Sequence, residues 1–186
     1  MLRTLMYTGI ATSLALLASA ASAQASFDGI EEITVTSNSR KSEGLADATA
    51  AVPVIGEEEL RSIGHTHLQE TLNRLPGVSI HRNNGQESLT AIRSPVLTGA
   101  GACGAFLVAE NGIPVRSSGF CNVNEMFDLH AENAASVEVV RGPGSAFWGS
   151  NAVHGLVNVV LPKAGDARQI TLEAGPRGSQ RVKAQL

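Results

Sequence analysis

Aromatic residues and clusters of positive charge are both scarce in this sequence of 186 residues. Phe, Trp and Tyr make up 4% of it, and 17 acidic residues outnumber 14 basic ones. Proteins that bind single-stranded nucleic acid stack bases on aromatic rings and line the phosphate backbone with basic side chains. The composition therefore excludes nucleic acid as a partner. The motifs Gly-x-Ser-x-Gly and His-Glu-x-x-His are also absent from the sequence, so we expect no catalytic residue, no metal ligand, no cofactor and no enzymatic activity.

Long apolar stretches are lacking after the N-terminus. The first apolar run, from Ile10 to Ala18, is shorter than the ~20 residues that a membrane-spanning helix needs, which disfavours an anchor. It follows Arg3, the only charged residue among the first 26, and precedes the motif Ala21-Ser22-Ala23. A basic start, a short apolar run and an A-x-A motif predict a secretory signal peptide over residues 1–23, with the mature chain starting near Gln24.

Cysteine is limited to Cys103 and Cys121, which are too far apart for a C-x-x-C redox centre. In an exported protein such a pair predicts a disulfide bond, with two buried thiols or a metal-binding pair as the alternatives. Closing a loop of this length would stabilise the fold by about 3 kcal/mol if chain entropy alone decides.

Glycine, in contrast, is concentrated near residues 142–155, between two valine-rich runs. Gly144 and Gly149 have the spacing of a phosphate-binding loop, but Ser150 occupies the place of the phosphate-binding lysine. Such a loop must also lead into a helix, whereas the residues that follow are β-branched and favour a strand. The loop is therefore not predicted to bind a nucleotide.

Residues 24–50 are rich in Ser, Ala, Asp and Glu and show no hydrophobic period. This composition predicts a flexible arm, with strand propensity confined to residues 32–37. Apolar spacing and end signals then predict one helix over residues 57–63, ended by Gly64, and another over residues 67–75. Short β-branched or alternating runs predict strands at residues 52–55, 78–81, 89–93, 106–109, 113–115, 135–141 and 156–161.

Strands and two short helices thus alternate without a regular βαβ period, which predicts an α+β fold with a small mixed sheet. The Asn111-Gly112 pair predicts a hairpin between two of the strands. Residues 169–174 and 181–186 alternate apolar with polar and predict another hairpin, on which the sequence stops. Because an unpaired strand edge is a liability, we expect the sequence to be part of a longer protein.

The order of these motifs resembles the plug domain of TonB-dependent outer-membrane receptors over about residues 31–164. The segments that carry the resemblance are residues 32–36, 68–78, 92–93, 106–108, 111–115, 137–143, 148–152, 155 and 157–160. The resemblance implies that residues 51–164 form a plug: a four-stranded mixed sheet with short helices and long loops, seated inside a β-barrel. Residues 165–186 would be a linker and the first hairpin of that barrel, most of which is absent.

The resemblance also implies partners. The segment that would be the TonB box, by its place between signal peptide and plug, consists of Glu32, Ile33, Thr34, Val35 and Thr36. It would add as a strand to a TonB-type energy-transducing protein in the periplasm. The transported ligand would be a scarce small molecule such as an iron chelate (a siderophore) or cobalamin. We expect the full-length receptor in the outer membrane, or a periplasmic protein if these 186 residues are the whole product.

Further positions would serve the structure of the plug: Arg93, Arg141, Gly142, Gly144, Gly149 and Gly155. By the likeness, the glycines would permit a tight crossing between two core strands. Arg141 would face the barrel wall, where a buried charge requires a carboxylate partner.

One alternative keeps the plug fold without a barrel, as a free-standing periplasmic binding or adaptor module. The histidines favour neither function. His65 and His67 are two residues apart, which on a helix would turn them different ways, so we expect solvated or capping side chains rather than a shared metal. His81, His130 and His154 are isolated in the sequence.

Overall fold

The computed structural model describes residues 33–82, 87–96, 106–115, 125–149, 151–163, 165 and 169–185, all within one structural unit. The predicted signal peptide, Glu32 and the predicted Cys103–Cys121 disulfide lie outside the described residues. The strands are, in chain order, β1 (Thr34–Val35), β2 (Glu43–Gly44), β3 (Val54–Gly56), β4 (Val78–Arg82), β5 (Ser88–Ile92), β6 (Phe106–Glu110), β7 (Ile113–Pro114), β8 (Ser136–Arg141), β9 (Gly155–Val160), β10 (Gln169–Ala174) and β11 (Gln180–Gln185). The α-helices are α1 (Glu57–Ile63) and α2 (Leu68–Leu72), and single 3₁₀ turns occupy Leu45–Asp47, Glu125–Asp128, Ala131–Asn133, Ala146–Trp148 and Pro176–Gly178.

A five-stranded mixed sheet in the order β3-β8-β9-β6-β7 forms the centre of the fold. Strands β6 and β9 are parallel, and the other neighbours are antiparallel. This confirms the predicted α+β class with a mixed sheet. The fifth strand is the two-residue β7, which the Asn111-Gly112 turn folds back onto β6. Asn111 and Gly112 both have positive φ (51° and 76°), as the tight hairpin turn of this residue pair requires.

Both faces of the central sheet are buried, so its strands are apolar almost throughout. One face carries Val137, Val139, Val157 and Val159, which pack with α1, α2 and the β4–β5 hairpin. The opposite face carries Leu107, Val140 and Leu156. Because side chains alternate along a strand, this second face also receives the buried polar residues Glu138 of β8 and Asn158 of β9.

Helix α1 has the bounds that the sequence predicts. Three glutamates occupy its first turn, where they complement the helix dipole, and Gly64 ends it with a left-handed φ of 59°. Helix α2 is shorter than predicted. It begins at Leu68 because His67 caps it, with Nδ1 accepting from the Gln69 N–H at 3.1 Å. It ends at Leu72 because the next turn tightens into 3₁₀-type bonds before Pro76 and Gly77.

Residues 33–50 differ from the predicted flexible arm, since they pack against the second face of the sheet. β1 pairs with β2, and the side chain of Val35 is fully buried beside Val52, Leu107 and Val140. These residues pack there because the strands of the central sheet are apolar on both faces, so each face must be covered by other residues that exclude water. The scattered apolar residues of this segment, which include Leu45, Ala48 and Ala50, supply that cover.

β10 and β11 form an antiparallel hairpin around Pro176–Gly178, at the place where the sequence predicts one, with Gln169 opposite Gln185 and Ala174 opposite Gln180. Ile170, Leu172 and Val182 are 69%, 76% and 68% exposed on one face. The opposite face carries polar side chains. No helix in the described ranges is long and apolar enough to cross a bilayer.

Candidate functional site

The side chain of Glu138 lies at the centre of the second sheet face, only 2% exposed. Its carboxylate accepts hydrogen bonds from the backbone N–H of Ser37 (2.8 Å) and of Thr36 (3.1 Å to each oxygen). The Thr36 hydroxyl donates to the same group at 3.2 Å. A buried carboxylate is costly unless donors compensate for its lost hydration. These donors come from a segment about 100 residues earlier in the chain, so Glu138 joins that segment to the sheet.

Asn158 stands opposite Glu138 in the β8–β9 register and is fully buried. Its Nδ2 donates to Glu138 Oε2 (3.3 Å) and to the Thr36 hydroxyl (3.2 Å), while its Oδ1 accepts from the Gly112 N–H (2.9 Å). The amide thus connects two strands, the β6–β7 turn and residue 36. We call these two side chains the Glu138–Asn158 pair.

Trp148 and Arg40 hold the other side of the same segment. The indole N–H of Trp148 donates to the Ser37 carbonyl at 2.6 Å, and Ser145 donates through its hydroxyl to the Asn38 carbonyl at 3.0 Å. The guanidinium of Arg40 lies 5.1 Å from the Trp148 ring centroid and donates to the Gly112 carbonyl at 3.0 Å. Residues 33–40, held in this way, are called the docked segment below.

The docked segment contains four of the five predicted TonB-box residues. Ile33 is 53% exposed and Thr34 is exposed, whereas Val35 is buried and Thr36 half-buried. Sequence reasoning missed the residues that hold the segment, namely Glu138, Asn158, Trp148 and Arg40. A signal for two of them was present: one carboxylate and one amide interrupt the valine-rich strands β8 and β9 near their centres.

The family model of the TonB-dependent receptor plug domain matches residues 44–156, more than half of the chain. The chain belongs to the TonB-dependent receptor plug family. The matched region contains β3, β6, β7, β8, the first two residues of β9, both helices and Glu138. The rest of β9, which includes Asn158, and the docked segment lie outside it.

Solved structures of similar fold include two receptors and a transporter. The pyoverdine receptor FpvA from Pseudomonas aeruginosa PAO1 has a TM-score of 0.62 and 16% identity over 80% of this chain and 21% of its own. The ferric yersiniabactin uptake receptor FyuA from Yersinia pestis has a TM-score of 0.58 and 23% identity, over 73% of this chain and 21% of its own. The ferric citrate transporter FecA has a TM-score of 0.52 and 29% identity, over 65% of this chain and 19% of its own. The chain therefore spans about a fifth of the length of these receptors.

The predicted structural positions of the plug cluster where β8 ends and β9 begins. Arg141 Nη1 donates to the Pro76 carbonyl at 2.9 Å, and the Arg93 N–H donates to the Gly77 carbonyl at 2.8 Å. A Cβ added to Gly144 would lie 2.5 Å from the Ala152 Cβ. One added to Gly155 would lie 2.9 Å from both Ile92 Cδ1 and the Val140 carbonyl oxygen. Gly142 and Gly149 adopt positive φ angles of 132° and 72°.

His65 and His67 of the plug differ from expectation. They lie in the connection between α1 and α2 rather than on one helix, and His67 is extended (φ −131°, ψ 137°). Both rings line one cavity of about 280 Å³, with 3% and 6% exposure. Burial lowers the pKa of each imidazole, and nearby Lys183 and Arg82 lower the pKa of His65 and His67 respectively. Of the two expected roles, capping is observed for His67, while solvation is not observed for either ring.

Proposed function

We propose that this chain is the plug portion of an outer-membrane transporter, energised when a TonB-type periplasmic protein binds residues 32–36. Family membership and fold support a receptor rather than an enzyme. The similar receptors are described as binding or importing pyoverdine, ferric yersiniabactin and ferric citrate. By that likeness we propose an iron chelate as the ligand and the outer membrane as the location.

The proposal is carried by one observation: a two-residue strand pairing and a small set of hydrogen bonds attach the docked segment to the rest of the plug. Within the described residues its one ladder is the two-residue pairing of β1 with β2. Its bonds to the central sheet and to the connection between β8 and β9 include those to Glu138, Asn158, Gly112, Ser145 and Trp148, and Asn38 also bonds Glu43 and Thr49. A short β-branched stretch of this kind can leave the sheet face and add to the open strand edge of a partner. The central sheet would keep its own ladders when that happens.

Binding of the partner therefore competes with docking. Val35 cannot contact a partner while its side chain is buried, and the N–H groups of Thr36 and Ser37 are already used by Glu138. The protein then exists in a docked and a released state, and only the released state binds. Whatever weakens docking raises the apparent affinity for the partner by the same factor as the released population.

The β10–β11 hairpin fits the first strands of a transmembrane barrel. Its exposed face is apolar through Ile170, Leu172 and Val182, as a lipid-facing surface needs. Its polar face turns toward the plug, where Arg61 of α1 donates to Gln169 at 2.8 Å. We propose that the rest of the barrel is supplied by sequence beyond these residues.

The test replaces Thr34, whose side chain is exposed, so that no core packing changes. Thr34→Pro removes one backbone N–H and should weaken binding to the C-terminal domain of the energy-transducing protein by about tenfold, the value of one lost hydrogen bond of ~1.4 kcal/mol. Thr34→Val keeps the N–H and should bind within about twofold of the parent chain. Isothermal calorimetry with purified partner measures both. Equal affinities of the proline and valine variants would rule out strand addition.

A further inference from the structure

The turn between β6 and β7 consists of an Asn-Gly pair, which is a chemically labile sequence, and Asn111 is exposed to water. Glycine has no Cβ, so little shields its backbone nitrogen from the side chain before it. The Gly112 nitrogen can attack Asn111 Cγ, so that a new N–Cγ bond forms and Nδ2 leaves as ammonia with the proton of the Gly112 N–H. Water then opens the cyclic imide, and the product is aspartate or isoaspartate at position 111.

Hydrogen bonds hold both reacting groups of this turn. The Gly112 N–H donates to Asn158 Oδ1 at 2.9 Å, and Asn158 is fully buried. The side-chain oxygen of Asn111 accepts from the Leu161 N–H at 2.8 Å. The attack requires the Asn111 side chain to rotate toward the Gly112 nitrogen. The turn must therefore open locally, with loss of both bonds, before the reaction can start.

The docked segment supports the same turn at two points. Arg40 Nη2 donates to the Gly112 carbonyl at 3.0 Å. Asn158, whose Oδ1 holds the Gly112 N–H, donates through Nδ2 to the Thr36 hydroxyl at 3.2 Å. Release of the segment removes both contacts at once. The turn then loses one direct hydrogen bond, and the side chain that fixes its glycine nitrogen loses one of its own partners.

We propose that Asn111 is a deamidation site that docking protects and that reacts mainly in the released state of the docked segment. The turn opens and closes much faster than the amide reacts, so the rate follows the population of open turns. Isoaspartate adds one atom to the backbone of the turn and cannot keep the close pairing of Glu110 with Ile113. Because hydrolysis of the amide is not reversed, the site keeps a chemical record of release.

The inference rests on the released state of the proposed function, but the partner protein takes no part in its test. The full chain is incubated at mildly alkaline pH in buffer and in urea, and peptide mass spectrometry follows the conversion of amide to acid. Asn84-Gly85, a second Asn-Gly pair in the sequence, reports the rate of such a pair in urea within the same sample. We expect Asn111 to react about tenfold more slowly in buffer than in urea, because its hydrogen bonds must open first.

Matched variants assign this protection to docking. Arg40→Gln, at an exposed residue, removes the donor to Gly112 and should speed deamidation in buffer about two- to tenfold, the range that one hydrogen bond gives. Arg74→Gln makes the same change at an exposed arginine between α2 and β4 and should match the parent chain. Thr36→Val removes the hydroxyl that accepts from Asn158 and takes the place of Arg40→Gln if that chain does not fold.

Two results would overturn the proposal. One is an equal rate at Asn111 in buffer and in urea, and the other is an Arg40→Gln chain that reacts no faster than Arg74→Gln. A protected Asn111 together with equal affinities of the Thr34 variants would reject strand addition and keep this site. The failure of one proposal is therefore distinguishable from the failure of the other.

Discussion

A carboxylate in the middle of a buried strand must find hydrogen-bond donors, and Glu138 finds most of them in the docked segment. Replacing it by glutamine turns one acceptor oxygen into an NH₂ group that cannot accept from Ser37 or Thr36. We expect Glu138→Gln to lower the free energy of unfolding by about 1–3 kcal/mol, the usual penalty for a buried donor without a partner. Chemical denaturation measures this loss.

The same substitution should shift the docked segment toward its released state. Arg40 and Lys41 then become better trypsin sites, because a protease needs an extended, detached chain. We expect faster cleavage there in Glu138→Gln than in Glu132→Gln, which alters an exposed carboxylate elsewhere. Identical digestion rates for the two variants would show that Glu138 does not hold the segment.

Gly155 illustrates how closely β9 approaches its neighbours. An alanine there would bring a methyl group to 2.9 Å from the Ile92 side chain and from a backbone oxygen of Val140. We expect Gly155→Ala to lower the free energy of unfolding by about 1–3 kcal/mol through overpacking. Gly56→Ala is the matched control, since a Cβ at Gly56 has no atom within 4 Å. A similar loss for both variants in denaturant melts would mean that space around Gly155 is not limiting.

At the scale of elements, the end of α1 depends on one backbone conformation. Gly64 has φ 59°, and its N–H donates to the Leu60 carbonyl. Alanine disfavours this left-handed conformation by about 1–2 kcal/mol, so we expect Gly64→Ala to lower thermal stability by a few degrees. Ser62→Ala, inside the same helix, should be neutral or slightly stabilising because alanine has the higher helix propensity. Calorimetric melting of both variants checks the contrast, which an unchanged Gly64→Ala chain would contradict.

Elements whose limits are set locally are the ones that the sequence predicts best. Glutamates and Gly64 mark both ends of α1, and the Asn111-Gly112 pair determines its own turn. The length of α2 is overestimated from the sequence because the apolar spacing continues past Leu72, where the backbone changes to 3₁₀-type hydrogen bonds. The strand propensity of residues 32–37 is recognised, but the docking of this segment on the sheet is not, since nothing within residues 33–50 reveals a sheet face over 100 residues away that needs cover.

For the whole molecule, we propose from these contacts that the plug starts before residue 51. The sequence places its boundary at residue 51, whereas the covering layer begins by residue 33. A chain that starts at residue 51 loses the burial of Val35 and the donors to Glu138. We expect its free energy of unfolding to be at least about 3 kcal/mol lower than that of a chain starting at residue 33. Parallel urea titrations of the two chains test this, and equal midpoints and slopes would restore the predicted boundary.

The overall architecture was accessible because motif order along the chain reflects the strand order of a whole family. The Glu138–Asn158 pair was not, because its meaning depends on a register between two strands that no local pattern specifies. The same holds for His65, whose burial and whose neighbour Lys183 come from elements far apart in the sequence.

The strand order of the central sheet also has a consequence for when the plug can fold during synthesis. Strand β9, the last of its five strands to be synthesised, lies between β8 and β6 and pairs with both. Until residue 160 has left the ribosome, β6 and β8 have no common neighbour, and the sheet cannot close. The central sheet of a growing chain therefore stays incomplete until residue 160 has been synthesised. That delay suits a polypeptide which, if its predicted signal peptide acts as expected, must cross a membrane before it folds.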